Sequence, residues 1–166
     1  ATLVGVPGYC KSIRRFQKAV AGLYFAYASN MDPHTYRRRC PKALALGRAR
    51  LPGYRLAFTR YSRQRKGGSA DIVADAASEV WGVLYEVDET CIATMDRVEG
   101  VPTAYRRERV TVIDDAGRAR EALTYVANKT GDFYPSRSYV EVIVRGARAY
   151  ALPDDYIATL ERLKTV

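Results

Sequence analysis

The chain has 166 residues, of which 48% are hydrophobic, and it carries a formal net charge of +9. This length suits one domain with a sizeable core, and the hydrophobic content together with 13 tyrosines excludes a disordered chain and favours a β-rich or mixed fold. No apolar run approaches the roughly 18 residues that a membrane-spanning helix needs, so we expect no membrane partner.

The positive charge is concentrated in three short runs, Arg37–Arg39, Arg60–Lys66 and Arg106-Arg107. Such runs bind phosphate or nucleic acid in some proteins, and in others they form solvated faces or pair with acidic neighbours. No RNP, zinc-finger or helix-turn-helix pattern accompanies them, so we expect no nucleic-acid partner. We interpret the charge as a source of solubility that also attracts acidic substrates. Arg37–Arg39 are interpreted as a solvated helix face, with an approach to acidic substrates as the alternative.

The three cysteines, Cys10, Cys40 and Cys91, are an odd number and include no C-x-x-C pair. This pattern predicts a reducing compartment and no disulfide framework. His34 is the single histidine and has no companion ligands in the sequence, so no metal site is expected.

Residues 1–21 show no clear periodicity and are expected to form an N-terminal extension ahead of one domain at residues 22–166. Basic residues before the apolar run Ala19–Ala28, and an A-x-A triplet within it, imitate a secretory signal. However, Gly22 and two tyrosines interrupt the run, and cleavage there would destroy a core strand. We therefore expect a cytoplasmic protein.

Hydrophobic periods and turn signals predict the elements in chain order. The expected strands cover Leu23–Ala28, residues 43–61 around a turn at Pro52-Gly53, Ala70–Ala76, Glu79–Val87, Tyr105–Ile113 and Arg120–Ala127. The expected helices run from an Asp32 N-cap to Cys40, from an Asp88 N-cap to Glu99, from a Ser136 N-cap to about Ala149, and over Asp154–Leu163. Residues 63–69 are expected to form a polar loop, with freedom supplied by Gly67-Gly68.

The end of the first strand is a candidate anion site, because the aromatic run stops abruptly in the loop Tyr27-Ala28-Ser29-Asn30-Met31 before Asp32-Pro33. A strand that passes through such a loop into a helix start gathers backbone N–H groups that suit a carboxylate. An ordinary strand end followed by a capped helix would leave the same pattern.

A second candidate lies on the helix after Asp88, where Ile92, Met95 and Glu99 fall on one stripe. A carboxylate that continues an apolar stripe has its pKa raised by desolvation, which suits a general acid or base. The alternative is a solvated glutamate at the helix end, since a predicted boundary can shift by a few residues. Asp96 is interpreted as a polar helix residue.

Three motifs in register resemble the γ-glutamylcyclotransferase family. The Tyr27–Met31 loop is similar to that family's Y-G-S-N-[LM], and Asp96–Gly100 is similar to its D-x-x-E-G. The tail resembles its P-S-x-x-Y…G-A…L-P-x-x-Y, here Pro135–Tyr139, Gly146-Ala147 and Leu152–Tyr156. The match spans about Leu23 to Leu163 and implies an α+β fold, a small mixed curved β-sheet or partial β-barrel flanked by helices, with the site at the open end of the sheet.

The resemblance also implies a reaction. The α-amine of a γ-glutamyl group attacks its own γ-carbonyl, which releases 5-oxoproline and a free amine or amino acid, with Glu99 as the catalytic general acid/base. The resemblance places the substrate against the backbone of the loop and against two tyrosines, which gives the substrate-binding set Tyr27, Ala28, Ser29, Asn30, Met31, Tyr105 and Tyr125. No metal or organic cofactor is required. The expected partner is a small-molecule γ-glutamyl substrate, and the sequence leaves open whether the protein forms a homodimer.

One position departs from the family pattern, because Ala28 stands where the family has glycine. If the backbone there needs a positive φ or a very close approach to the ligand, alanine costs about 1–2 kcal/mol, whereas a β-region residue would be nearly neutral. A relative that acts on γ-glutamylamines or on a γ-glutamyl-protected biosynthetic intermediate is the enzymatic alternative. A non-catalytic small-molecule-binding relative is the other. A serine hydrolase built on Ser29 is disfavoured, since no His/Asp relay is apparent.

Overall fold

The computed structural model describes residues 21–166, so the expected N-terminal extension lies outside the described residues except for Ala21. The strands are β1 (Gly22–Ala26), β2 (Leu44–Ser62), β3 (Gly67–Val87), β4 (Tyr105–Asp114) and β5 (Ala119–Ala127). The helices are α1 (Pro33–Arg39), α2 (Glu89–Glu99), α3 (Arg137–Ala149) and α4 (Asp154–Glu161), and a short 3₁₀ turn covers Ser29–Met31.

The five strands close into a barrel in the order β1-β3-β2-β4-β5. Neighbouring strands run antiparallel except β1 and β5, which pair in parallel at Tyr24 and Leu123 and so close the ring. Fully buried side chains such as Phe25, Leu51 and Val112 belong to the continuous apolar core. The structure confirms the expected α+β fold of a mixed, curved sheet flanked by helices, and the barrel is closed rather than partial.

The helix boundaries follow the capping signals in the sequence. Asp32, Asp88 and Ser136 each accept a hydrogen bond from the backbone N–H three residues later, so each caps the helix that was expected to follow it. Gly100 ends α2 with a φ of 67°, a left-handed conformation that glycine adopts without penalty. Among residues 21–166, no helix is both long and apolar enough to cross a membrane.

The prediction that β2 turns at Pro52-Gly53 was wrong, and so was the division of β3 into two strands. Both strands continue, and their register shifts where Pro52 pairs with Glu79 and Tyr54 pairs with Ala74. A β-bulge bends and twists a strand without ending it, and proline is tolerated at such a point. The turn signal in the sequence therefore marks an irregularity in the pairing, where Gly53 of β2 lies opposite residues 75–78 of β3, and both long strands continue through it.

The prediction of a polar loop at residues 63–69 was partly wrong, because β3 already begins at Gly67. A Cβ atom at Gly67 would lie 2.7 Å from the backbone nitrogen of Ser136, and one at Gly68 would lie 2.8 Å from the Cβ of Phe58. These glycines therefore permit close packing of the segment before α3 against the strand, instead of giving a loop freedom.

The expectation of no disulfide was also wrong, because Cys40 and Cys91 form one across a sequence separation of 51 residues. Cys40 follows α1 and Cys91 lies in the first turn of α2, and the fold brings their Cα atoms to 5.2 Å. Spacing along the chain carried no sign of this pair, since only the packing of α1 beside α2 creates it. The disulfide ties together two helices that flank the candidate site.

Candidate active site

A cavity of about 240 Å³ opens at one end of the barrel, a volume at the small end of ligand pockets. It gathers six of the seven residues that the sequence assigned to substrate binding, together with the candidate general acid/base: Tyr27, Ala28, Ser29, Asn30, Glu99, Tyr105 and Tyr125. Met31 is the exception. Its side chain is fully buried in the core, and its backbone N–H already donates to the Ala28 carbonyl.

The strand-end loop leaves β1 and forms the 3₁₀ turn at once. Ala28 precedes that turn with a φ of −133°, so the position does not require the left-handed region that favours glycine. Within residues 21–166, the backbone N–H groups of Ser29 and Asn30 have no hydrogen-bond acceptor. Two adjacent N–H groups at the start of a turn are suited to hold a carboxylate oxygen or a developing oxyanion.

Helix α3 holds this loop in place from behind. A Cβ atom at Gly146 would lie 2.5 Å from the backbone nitrogen of Asp32 and 2.6 Å from the Cβ of Met31, so only glycine permits the contact. Next to it, Arg145 makes two hydrogen bonds of 3.0 and 2.9 Å to the buried Asp32 carboxylate. This contact lowers the Asp32 pKa to about 2, and Asp32 at the same time caps α1.

Asn30 is fixed by contacts from four directions. Its amide nitrogen donates to the Tyr24 hydroxyl at 3.0 Å and approaches the Met95 sulfur at 3.8 Å. Its side-chain oxygen accepts from Arg39 at 2.6 Å, and its backbone carbonyl accepts from the Tyr85 hydroxyl at 2.9 Å. Arg39 and Met95 belong to α1 and α2, so Asn30 joins the loop to both helices.

Glu99 lies at the C-terminal end of α2 with its carboxyl in the cavity, although the residue remains partly accessible. Burial of the carboxyl raises the Glu99 pKa above its ordinary value, and this effect exceeds the opposing influence of Arg39, Arg65 and the Asn30 amide. A carboxyl with a raised pKa that stays reachable from the cavity can exchange a proton near neutral pH more readily than an ordinary glutamate.

Asp96 anchors the helix that carries Glu99. Arg107 of β4 binds both Asp96 carboxylate oxygens, and the Tyr125 hydroxyl of β5 donates to one of them at 2.8 Å. The Arg107 contact is the main reason that the Asp96 pKa is lowered. Asp96 is a polar helix residue, as expected, and its contacts with Arg107 and Tyr125 also fix the last turn of α2 against the barrel.

The tyrosine rings line the cavity, while the tyrosine hydroxyl groups form hydrogen bonds within the protein. Tyr27 donates to the Tyr125 carbonyl at 2.6 Å, and Tyr105 donates to the Ala70 carbonyl at 2.6 Å. Burial raises the pKa of each of these hydroxyls well above its ordinary value, so they stay protonated donors. These tyrosines supply rigid walls, and their hydroxyl groups are not free to act as acids or bases.

Sequence reasoning missed three arginines that line the cavity: Arg39, Arg60 and Arg65. Each is half-buried, whereas their neighbours Arg38 and Arg63 in the same basic runs are exposed. A signal for Arg39 was present, because it lies three residues after the buried Tyr36 and thus on the same face of α1. For Arg60 and Arg65 the sequence offered only the basic run.

Comparison with known proteins gives a consistent set of relatives. A family model described as the AIG2-like family matches residues 79–160. The chain is 31% identical over 160 residues to the γ-glutamylcyclotransferase of Bos taurus, covering 93% of this chain and 85% of that protein. It is 31% identical over 149 residues to that of Homo sapiens, covering 87% and 78%.

Solved structures agree in fold. A γ-glutamyl cyclotransferase structure superposes with a TM-score of 0.84 at 29% identity, covering 87% of this chain and 89% of the other. The structure of YkqA from Bacillus subtilis superposes with a TM-score of 0.75 at 30% identity, covering 87% of this chain and 55% of the other.

Proposed function

Since this chain belongs to the γ-glutamylcyclotransferase family, we propose that it releases 5-oxoproline from γ-glutamyl compounds with Glu99 as the general acid/base. The observation that carries the proposal is the position of the Glu99 carboxyl. Among the described residues that line the cavity, it is the one acidic side chain, and burial raises its pKa.

The proposed reaction is an intramolecular displacement at the γ-carbonyl carbon. Glu99 takes a proton from the α-ammonium, whose pKa near 8 leaves about a tenth of it as free amine at neutral pH. The amine nitrogen then forms a bond to the γ-carbonyl carbon, and the bond to the leaving nitrogen breaks as Glu99 returns the proton to that nitrogen. The attacking nitrogen gives its second proton to the departing amine, so that the lactam nitrogen of 5-oxoproline is neutral and the amine leaves protonated. Atoms and charge balance without a cofactor.

The loop and the tyrosines support the proposal by holding the substrate in a folded conformer. The N–H groups of Ser29 and Asn30 face no competing acceptor within the described residues, and they are the donors proposed for the glutamyl carboxylate or the developing oxyanion. The rings of Tyr27, Tyr105 and Tyr125 restrict the space around the chain that must close into a ring.

The test is 5-oxoproline release from γ-glutamyl amino acids, γ-glutamylamines and glutathione. Glu99→Gln keeps the shape of the side chain but removes the proton-transfer group, so we expect kcat to fall by about 10²- to 10⁴-fold with the thermal melting temperature preserved. Glu89→Gln, an exposed position on the same helix, is the matched control and should be fully active. A fully active Glu99→Gln enzyme would remove Glu99 from the mechanism.

The pH profile is an independent check on the role of Glu99. Because the base must be ionised, kcat/KM falls as the pH drops below the Glu99 pKa. Burial raises this pKa, so the acid limb should lie above the range of an ordinary glutamate. The limb should be absent from the residual activity of Glu99→Gln.

The alternatives of a γ-glutamylamine substrate and of a binding-only relative are separated by the same panel. Turnover of amines alone would favour the first. Binding without turnover, read from ligand-induced thermal stabilisation, would favour the second. A cytoplasmic location remains a prediction. Because Cys40 and Cys91 form a disulfide, the cysteines do not support the prediction of a reducing compartment.

A further inference from the structure

Three guanidinium groups surround the cavity and come from two parts of the fold. Arg39 ends α1, while Arg60 and Arg65 lie in and just beyond β2, where that strand turns into β3. Each is positioned by one contact with a neutral group. Arg39 donates to the Asn30 side chain, Arg60 donates to the Asn128 carbonyl at 3.0 Å, and Arg65 stacks on the Tyr139 ring at 4.2 Å.

None of the three forms an ion pair with a carboxylate within residues 21–166. Residues 1–20 contain no Asp or Glu, so that segment has no side-chain carboxylate to offer. Since a guanidinium carries five N–H donors, each arginine keeps donors for a ligand. Glu99 is the one carboxyl among the described lining residues and forms no ion pair with them, so three half-buried cations leave the cavity with an excess of positive charge that favours an anionic ligand.

Helix α3 packs against two parts of the cavity wall. It contacts the strand-end loop at Gly146 and supports Arg65 at Tyr139. These positions lie two turns apart, which is roughly 10 Å along the helix axis. One helix therefore supports both the carboxylate-binding loop and one of the guanidinium groups of the cavity.

We propose that Arg60 and Arg65 select an acidic leaving group, so that the preferred substrate is a γ-glutamyl dipeptide whose second residue is a dicarboxylic amino acid such as glutamate. This inference rests on the proposed function. The backbone N–H groups of Ser29 and Asn30 bind the glutamyl carboxylate, and Arg39 adds positive charge beside them. The two carboxylates of the leaving amino acid then meet Arg60 and Arg65.

The experiment compares γ-glutamyl-glutamate with γ-glutamyl-glutamine, which has the same shape but lacks the extra charge. We expect kcat/KM to favour the glutamate compound by about tenfold or more, mainly through KM, because a charge-assisted hydrogen bond is worth about one to two factors of ten. Added salt should reduce the preference. The preference should fall in Arg60→Gln and in Arg65→Gln.

The matched controls are Arg38→Gln and Arg63→Gln, which remove exposed charges from the same two basic runs and should leave the preference unchanged. Equal use of the two compounds by the wild-type protein, or an equal loss for both compounds in the arginine variants, would overturn the inference while the proposed function stands. Loss of the preference in the controls would assign it to overall charge and would overturn it as well.

If neither compound yields 5-oxoproline, the proposed function fails and the charge inference is still tested by binding. Thermal stabilisation of Glu99→Gln, in which any turnover should be strongly slowed, measures the two compounds side by side. Stronger stabilisation by γ-glutamyl-glutamate that depends on Arg60 and Arg65 would support the selection of an acidic ligand. Equal stabilisation would reject it.

Discussion

The carboxylates around the cavity fall into two groups. Asp32 and Asp96 hold together the elements around the cavity, here called the frame, whereas Glu99 lines the cavity itself. In the frame, two nitrogens of Arg145 donate hydrogen bonds to Asp32. Two nitrogens of Arg107 donate to Asp96 in the same way. Each contact lowers the pKa of the carboxyl. In the cavity, burial raises the pKa of Glu99, and the charges of Arg39 and Arg65 offset this rise only in part. Carboxylates that hold the fold together are fixed as anions, whereas the one placed for chemistry can still accept a proton.

The arginines show the same contrast. Arg145 and Arg107 form ion pairs with carboxylates of the frame. Among the described residues, the guanidinium groups of Arg39, Arg60 and Arg65 contact neutral groups and form no ion pair, although Arg39 and Arg65 lie close enough to Glu99 to influence its pKa. Substitutions in the frame should therefore act on stability or on the placement of Glu99. Substitutions in the cavity should act on substrate choice with little effect on stability.

The largest expected change in stability comes from Asp32→Asn, which removes a buried charge from a two-pronged contact and weakens the N-cap of α1. A pKa lowered from 3.8 to about 2 corresponds to about 2 kcal/mol of folding free energy at neutral pH. Because the folded pKa is the lower one, this contribution is complete above the unfolded pKa and disappears as the pH falls from 4 toward 2. Urea unfolding at pH 7 and pH 3 measures it.

The control for this prediction is Asp115→Asn, an exposed partner of Arg48 that should change stability by less than about 0.5 kcal/mol. A destabilisation of Asp32→Asn that stayed constant from pH 7 to pH 2 would assign the loss to packing or capping and not to the charge.

A smaller effect, on turnover, is expected for Asp96→Asn. Without its charge, Asp96 holds Arg107 less firmly, and the last turn of α2 is less fixed against β4 and β5. A misplaced Glu99 should lower kcat by about tenfold, with a smaller effect on KM, because small shifts of a catalytic group lose much of the benefit of positioning.

A double-mutant cycle distinguishes this positioning role from a loss of surface charge. Arg107→Gln should reproduce the defect, and the double variant should lose little more than either single one. Arg109→Gln, an exposed arginine on the same strand, should be unaffected. Additive losses for Asp96 and Arg107 would show that the two side chains act separately.

The sequence predicted the parts of the fold that local chemistry determines. Caps at Asp32, Asp88 and Ser136, and the left-handed Gly100, gave the helix boundaries because each depends on groups within one turn. The position of Glu99 beside the cavity followed from its register with Met95 on one helix face. Periods and caps act over a few residues, so they can be read from the chain alone.

The features that were missed depend on contacts between distant segments. The Cys40–Cys91 pair, the Asp96–Arg107 contact and the burial of Arg60 exist only because the barrel closes and brings separate elements together. The sequence marks these residues as cysteine, aspartate or a basic run, but it does not say which of them face each other. Met31 was misplaced for the same reason, since it is buried in the core where α3 packs against it at Gly146.

The smallest effect is expected at Ala28, where the family pattern has glycine. Its φ of −133° lies outside the left-handed region that favours glycine, so Ala28→Gly relieves no positive-φ strain. We expect KM and kcat for a γ-glutamyl dipeptide to stay within about twofold, and stability to fall by no more than about 1 kcal/mol, because glycine gains freedom in the unfolded chain. Steady-state kinetics and thermal melting measure both. A KM several-fold lower in Ala28→Gly would mean that the methyl group itself crowds the substrate, which would make this alanine a determinant of substrate size at the cavity wall.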